Sequence, residues 1–370
     1  MWFERNLRYD LWLITGVAAL LGIGIVMIYS TSSIPAHHLL QGESTFFLKR
    51  QIIFAFLGIG AMLVAMHFNH EKLRPFTPLL VVISAGLLVA VLIPGIGSEI
   101  NGAYRWIRLG GIGIQPSELA RLALVLYLAH SLAKKEAKIK TFKYGFLPYL
   151  MVTGLLAGLV FIEPDMGGAV TLGLIMGAML FVAGVRVSQL AGFALLAFPF
   201  LLYFMMSADY RWRRVMATVN PWNYWHDAGW HLVQSFLAFG SGGILGVGLG
   251  EGRQKLFYLP DAHTDFILAA LGEELGLVGV LFVIALFGLV VVRGTVIAMR
   301  ASSLYGSLLA FGITIMIAIP VLINMMVVLG LLPTKGLVLP FVSYGGSALI
   351  IYLVAVGILL NVSAKMYRTR

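Results

Sequence analysis

Ten stretches of this 370-residue chain run apolar for about the length that a bilayer helix needs, ~17 to 25 residues. They fall at about 11–30, 51–67, 77–94, 117–132, 146–162, 167–184, 189–206, 265–292, 304–329 and 338–362. A chain built this way can satisfy its backbone only with spanning helices or a closed barrel, and runs this long predict helices. Composition agrees: 60% of residues are hydrophobic and 11% charged, against roughly 45–50% and 25% in a soluble domain. The expected fold is therefore an all-α polytopic membrane protein of about ten transmembrane helices, read as one membrane domain over 1–370. The first run, Leu11 to Tyr29, lacks a small-residue cleavage site after it and reads as a retained helix. Cysteine is absent, which excludes disulfides, iron–sulfur clusters and a thiolate nucleophile.

The formal charge of +10 invites a nucleic-acid reading, but the basic residues sit between apolar runs, where the positive-inside rule places them. With the N-terminus cytoplasmic, one face carries fifteen Lys and Arg, including Arg5, Arg8, Arg368 and Arg370, against the acids Glu4, Asp10, Glu71 and Glu136. The basic loop at about 133–145, with Lys134, Lys135, Lys138, Lys140 and Lys143, contributes most to that asymmetry. Both termini are then expected inside. The loops at about 95–116 and 207–264, the latter between the seventh and eighth spans, are expected to face outward.

The outward segments carry the chemistry. Trp212, Trp222, Trp225 and Trp230, four of seven tryptophans, lie in the long loop beside Arg211, Arg213 and Arg214. Tryptophan is an ordinary interface anchor; clustered with arginines it suggests an amphipathic segment on the bilayer, with guanidinium groups suited to phosphate. Gly240 to Gly252 holds seven glycines in thirteen positions. No strand precedes the run and no Lys-Ser/Thr follows it, so it is no nucleotide loop; tight turns and close backbone approach are the expected use. Thr264 reads as an N-cap with Asp265 in the first helical turn, where an acid complements the dipole. Asp265 also stands beside His263 and Asp261, and Glu273 and Glu274 follow at a depth where carboxylates pair or function.

Three further groups stand out. Glu118 and Arg121 are i, i+3 in Gln115-Pro-Ser-Glu-Leu-Ala-Arg121, and fit either a structural ion pair or the wall of a polar cavity. Glu163-Pro-Asp165 is first a tight turn, and second a pair of acids able to hold Mg²⁺ with phosphates. Arg105, in Asn101-Gly-Ala-Tyr-Arg105, and Lys335 are candidate phosphate ligands. Pro340 to Ser347 puts small residues, Ser343 among them, in the last span, where close helix packing is their default meaning. No HExxH, GxSxG or clustered histidine appears, which sets aside zinc and serine-hydrolase chemistry.

Taken together and in order, these motifs resemble the SEDS family (shape, elongation, division and sporulation), most closely its FtsW division branch. The carrying residues are Asn101-Gly-Ala-x-Arg-Trp-Ile, Gln115-Pro-Ser-Glu, Glu163-Pro-Asp, the glycine run, Lys255-Leu-Phe-Tyr-Leu-Pro-x-Ala-His-Thr-Asp-Phe, Gly272-Glu-Glu-Leu-Gly-Leu, Pro333-Thr-Lys-Gly and Leu339-Pro-Phe-Val-Ser-Tyr-Gly-Gly-Ser. Arg121 stands where the family usually has Lys, and Asp261 where many members have Glu. The resemblance implies a peptidoglycan glycosyltransferase that polymerises lipid II outside the cytoplasmic membrane, alongside a class B penicillin-binding transpeptidase and other division-site membrane proteins. It carries the family's essential aspartate onto Asp265. Joining an α-linked pyrophosphate donor to a β-linked polymer inverts the anomeric centre, so one direct displacement with a base on the acceptor suffices; Asp265 is the expected base. Arg105, Glu118, Arg121, Lys335, His263 and Ser343 are the expected ligands of pyrophosphate and sugar. Glu163 and Asp165 are the expected metal ligands, with Mg²⁺ or another divalent cation and no nucleotide. A lipid II flippase and a non-catalytic scaffold are the competing readings.

Overall fold

The computed structural model describes residues 9–39, 43–100, 103–109 and 112–366. Arg5, Arg8, Asn101, Arg368 and Arg370 lie outside them. The chain forms twelve α-helices among the described residues: α1 (Leu11–Leu39), α2 (Phe46–His67), α3 (Thr77–Val91), α4 (Pro116–Lys134), α5 (Leu147–Ile162), α6 (Met166–Val182), α7 (Val187–Met206), α8 (Asp209–Val219), α9 (Trp230–Gly242), α10 (Ile267–Arg300), α11 (Leu304–Val328) and α12 (Gly346–Met366). Eight helical stretches are long and apolar enough to cross a membrane. The other two expected spans are α4, which carries Glu118, Arg121 and Lys134, and α6, which is 17 residues long.

Burial grades from the centre outward. α12 packs against α2, and α11 against α10 and α4, so α11 and α12 present apolar side chains all round, as a helix enclosed by other helices does. At the periphery α7 has no buried residue. Two polar contacts tie the end of the bundle that carries the basic loop: Asp10 caps α1 at the Leu13 N–H (3.0 Å) and pairs with Arg293 of α10, and His70 Nδ1 meets Asn361 Oδ1 of α12 at 2.7 Å.

The structure departs from the all-helical expectation in the loop before α4. Three antiparallel strands form a meander there, β1 (Gly97–Ile100), β2 (Ala103–Leu109) and β3 (Ile112–Ile114), with Ile107 opposite Ile114. Ala103 and Ile107 are buried on one face, the period-2 pattern of a half-buried strand, in a segment too short to announce itself beside long apolar runs. The 207–264 segment likewise contains α8 and α9 instead of a continuous loop. The last span starts at Gly346, because Leu337 to Tyr344 runs as irregular backbone with Phe341 at positive φ (66°). Leu339, Phe341 and Val342 of that segment are buried, and non-helical backbone at this depth is tolerated only where protein encloses it.

The glycine run is bound to a break in α10. At Gly276 the helix leaves helical geometry (φ 66°, ψ −168°), which leaves carbonyls on one side and N–H groups on the other without partners. The run supplies them. Val247 and Gly248 N–H donate to the Glu273 and Glu274 carbonyls (3.0 and 3.1 Å), and Leu277 and Val278 N–H donate to the Gly243 and Ile244 carbonyls (3.0 and 3.2 Å). A Cβ on Gly246 would lie 2.2 Å from the Glu274 carbonyl oxygen, so the approach requires glycine. Glu273 and Glu274 hold the rest of the loop. Glu273 accepts from the Arg253 N–H (2.8 Å), and Glu274 accepts from Lys255 Nζ (2.7 Å) and Ser30 Oγ (2.6 Å).

Candidate active site

The loop after the glycine run leads to Asp265. Asp261 takes positive φ (54°), and its carbonyl accepts from the N–H groups of Thr264 (3.0 Å) and Phe266 (3.2 Å), closing a turn just before α10. The helix starts at Ile267 with Phe266 at its cap and no side-chain capping bond. Thr264 Oγ1 bonds back to the Asp261 carbonyl and is not the N-cap, and Asp265 precedes the first turn. Asn324 of α11 fixes the Asp265 backbone: its Nδ2 donates to the Asp265 carbonyl (2.8 Å) and to the Leu337 carbonyl (2.7 Å). Ser343 Oγ donates to the Thr264 carbonyl and accepts from Leu339 N–H (2.9 Å). The aspartate and the Pro333–Leu337 segment are thus one bonded unit.

Asp265 opens onto a cavity of about 650 Å³ shared with Arg105, Arg214, His231, Asp261 and Lys335. A smaller compartment of about 140 Å³ adjoins it through the same Arg105, Arg214 and Lys335, and adds Arg211, Asp165 and the apolar side chains of Phe161, Phe204 and Met205. Four cations therefore converge on one space from different elements: Arg105 from β2, Arg211 and Arg214 from α8, and Lys335 from the segment before α12. Arg105 is anchored, donating to the Glu163 and Pro164 carbonyls. Arg211 lies over the Phe204 ring at 3.6 Å. The side chains of Arg214 and Lys335 have no hydrogen bond or ion pair to a described residue. Burial, added to by Arg214, Arg211 and Arg105 and opposed by Asp165, lowers the Lys335 ammonium to about 8. A lysine held beside three guanidinium groups is a site short of an anion.

The Asp265 carboxyl makes no hydrogen bond to a described residue. Burial first, then the Asp261 charge, raises it to about 7 against the pull of Arg105. Helix-dipole stabilisation would keep this carboxylate ionised; the position outside the first turn removes that help, and desolvation wins. Gly336 stands close against it: a Cβ there would lie 2.8 Å from Asp265 Oδ2.

The other expected site residues separate into two sets. Glu118 and Arg121 pair at 2.8 Å with both side chains 2% exposed, and Arg121 also donates to the Tyr352 hydroxyl (2.8 Å). They line neither compartment and join α4 to α12, the structural alternative left open by their spacing. His263 packs its ring on Phe47 (4.7 Å) and Tyr344 (5.9 Å), and Ser343 is buried behind the Asp265 backbone; neither lines the cavity. Arg105, Lys335 and Asp165 do line it. Asp165 caps α6 at the Gly168 N–H (2.9 Å). Glu163 is buried with neither carboxyl oxygen bonded, and burial together with Asp165 raises it to about 8. Among the described residues no three His, Asp or Glu side chains are grouped to hold a metal ion. Sequence reasoning passed over Asn324, His231 and Gly336. Asn324 left a signal, a lone amide inside an otherwise apolar span; Gly336 stands in the Pro333-Thr-Lys-Gly motif without marking its role, and His231 left no signal.

Fold and site define a polytopic membrane protein with a charged cavity, lined by arginines, a lysine and aspartates, at one end of its helices. A family model for FtsW, RodA and SpoVE, described as a cell cycle protein, matches residues 11–368. The chain is 49% identical over 371 residues to the probable peptidoglycan glycosyltransferase FtsW of Geobacter metallireducens, across 99% of each chain. It is 44% identical to stage V sporulation protein E of Bacillus subtilis across 96% of each. The crystal structure of the rod shape determining protein RodA of Thermus thermophilus aligns with a TM-score of 0.73 at 30% identity, over 98% of this chain and 99% of that one. A chain from a structure described as the structural coordination of polymerization and crosslinking by a peptidoglycan synthase complex aligns at 0.80 with 29% identity, over 98% and 100%. This chain belongs to the FtsW/RodA/SpoVE family.

Proposed function

We propose that the chain is a peptidoglycan glycosyltransferase that polymerises lipid II at the outer face of the cytoplasmic membrane during cell division. The observation that carries the reading is the convergence of Arg105, Arg211, Arg214 and Lys335 on two adjoining compartments, with the unbonded Asp265 carboxyl in the larger. The smaller compartment, with Arg105, Arg211, Arg214 and Lys335 beside Phe161, Phe204 and Met205, suits a pyrophosphate with a polyprenyl tail leaving between helices. The larger one, with Asp265, suits the acceptor sugar.

The chemistry follows from that placement. The acceptor 4-hydroxyl gives its proton to the Asp265 carboxylate as its oxygen bonds to the donor's anomeric carbon. The anomeric carbon–oxygen bond to pyrophosphate breaks in the same displacement, with inversion. Charge developing on the leaving pyrophosphate meets the four cations, the largest kind of electrostatic assistance a preorganised site gives. A base near pKa 7 suits the task, since it is substantially ionised at neutral pH and still basic enough to take the proton. Mg²⁺ or another divalent cation held at Asp165 would add to the positive charge that the side chains supply. The charge asymmetry of the loops supports both termini inside and the cavity outside. The structural neighbour described as part of a peptidoglycan synthase complex coordinating polymerization and crosslinking supports a class B penicillin-binding transpeptidase as partner, with other division-site membrane proteins around it.

Labelled lipid II, incubated with the purified protein and its transpeptidase, tests the reading. Glycan strands on a gel are the expected product. Translocation of lipid II across liposomes with no strands formed would replace it with a transporter.

A further inference from the structure

A separate cavity of about 350 Å³ lies at the opposite end of the bundle, lined by Arg74, His130, Lys134, Glu136 and Tyr305. Leu304, also in its wall, and Asn324, which holds Asp265, are twenty residues apart on α11, about 30 Å at the helical rise. The two cavities are therefore a membrane thickness apart, and this one belongs to the end that carries the basic loop.

Most of its donors are unused. Arg74 lies with its guanidinium carbon 4.4 Å over the Tyr305 ring. One of its terminal nitrogens pairs with Glu71 at 2.7 Å, while its Nε is buried without a partner. Tyr305 is almost wholly buried, and its hydroxyl has no partner either. The His130 ring and the Lys134 ammonium make no hydrogen bond or ion pair to a described residue. Four donors from the 3-10 turn His70–Phe76, α4 and α11 thus meet one space. Of the acids nearby, Glu71 is held by Arg74 and by Ser303 Oγ (2.9 Å), and Glu136 stands exposed at the rim. Lys135, Lys138, Lys140 and Lys143 follow directly in the chain and add positive potential at the mouth.

We propose that this cavity binds the phosphate group of an anionic phospholipid headgroup in the leaflet on the basic-loop side. Arg74 and Tyr305 would donate to the phosphate oxygens, with Lys134 as the counter-charge at the rim. Basic pockets between spanning helices at such a face recognise headgroups in this way. Volume supports a headgroup, since 350 Å³ is at the small end of ligand cavities. The site is independent of the chemistry at Asp265.

The test titrates the purified full chain, in neutral detergent, with dihexanoyl phosphatidylglycerol, dihexanoyl phosphatidylcholine and inorganic phosphate, followed by microscale thermophoresis. Saturable binding of phosphatidylglycerol, with little of phosphatidylcholine, is expected, and Asp265→Asn should leave it unchanged. Arg74→Ala with Lys134→Ala should weaken it at least tenfold. Lys134 is exposed, so Lys134→Glu keeps the fold and should weaken binding on its own. Phosphatidylglycerol binding more tightly than inorganic phosphate assigns the lipid; equal binding keeps the phosphate site and assigns a soluble anion. Equal affinity for both lipids with no phosphate binding, or unchanged binding in Lys134→Glu, would overturn the proposal.

Discussion

Asp265 shows how far a residue's type and neighbours determine its chemistry. The motif and the approach of a helix were legible in the sequence. The charge state was not, because burial by Asn324, Gly336 and Lys335 comes from segments about sixty residues away or more. With the carboxyl raised to about 7, the base is lost as pH falls, so polymerase activity should rise with pH through about 7 and level off above it. A pH–rate profile checks this; a profile flat from 6 to 8 would exclude Asp265 as base. The same shift has a stability sign. A carboxyl with a folded pKa above its unfolded value of 3.8 costs stability that grows as pH rises from about 4 and is complete above 7, at ~1.4 kcal/mol per unit. Asp265→Asn should therefore raise the melting temperature, more at pH 8 than at pH 5. Gly336→Ala pushes a methyl against Asp265 Oδ2, and a displaced base should lower kcat by on the order of tenfold to a hundredfold with little change in melting temperature.

At the scale of elements, the glycine run and the broken α10 make one structure. Glycine spacing announced close backbone approach, and the structure shows what is approached. What could not be read was the partner, since Gly276 looks like any glycine in an apolar helix. Glu273 and Glu274 were legible as carboxylates needing partners; that Lys255 and the loop N–H groups would supply them depends on the chain returning to the break. Lys255 and Glu274 are 3% and 1% exposed, so Lys255→Met leaves a buried charge unpaired and should cost ~3–5 kcal/mol. Adding Glu274→Gln should recover most of that loss, measured by thermal unfolding in detergent. Glu118 and Arg121 teach the complementary lesson. Their spacing fixed that they pair, and only packing placed Arg121 against the Tyr352 hydroxyl of α12. The β-meander escaped notice for a different reason: its strands are three to seven residues long and alternate over too few positions to register.

For the whole molecule, the long apolar helices were the most legible feature, because bilayer thickness sets a minimum length for a spanning helix. The charged residues between the spans stood out in the sequence, but which of them share a cavity depended on the irregular entry to α12 and on α8, neither visible as periodicity. Orientation has a direct test, since the natural chain has no cysteine. In intact cells an impermeant maleimide should label Trp222→Cys and leave Lys140→Cys unlabelled until the membrane is opened; the reverse pattern would invert the topology. The central claim, that Asp265 drives polymerisation, is tested most directly on labelled lipid II with the transpeptidase present. Wild type should make long glycan strands while Asp265→Asn, folded and still bound to its partner, makes none. Strands of normal length and yield from Asp265→Asn would contradict the account.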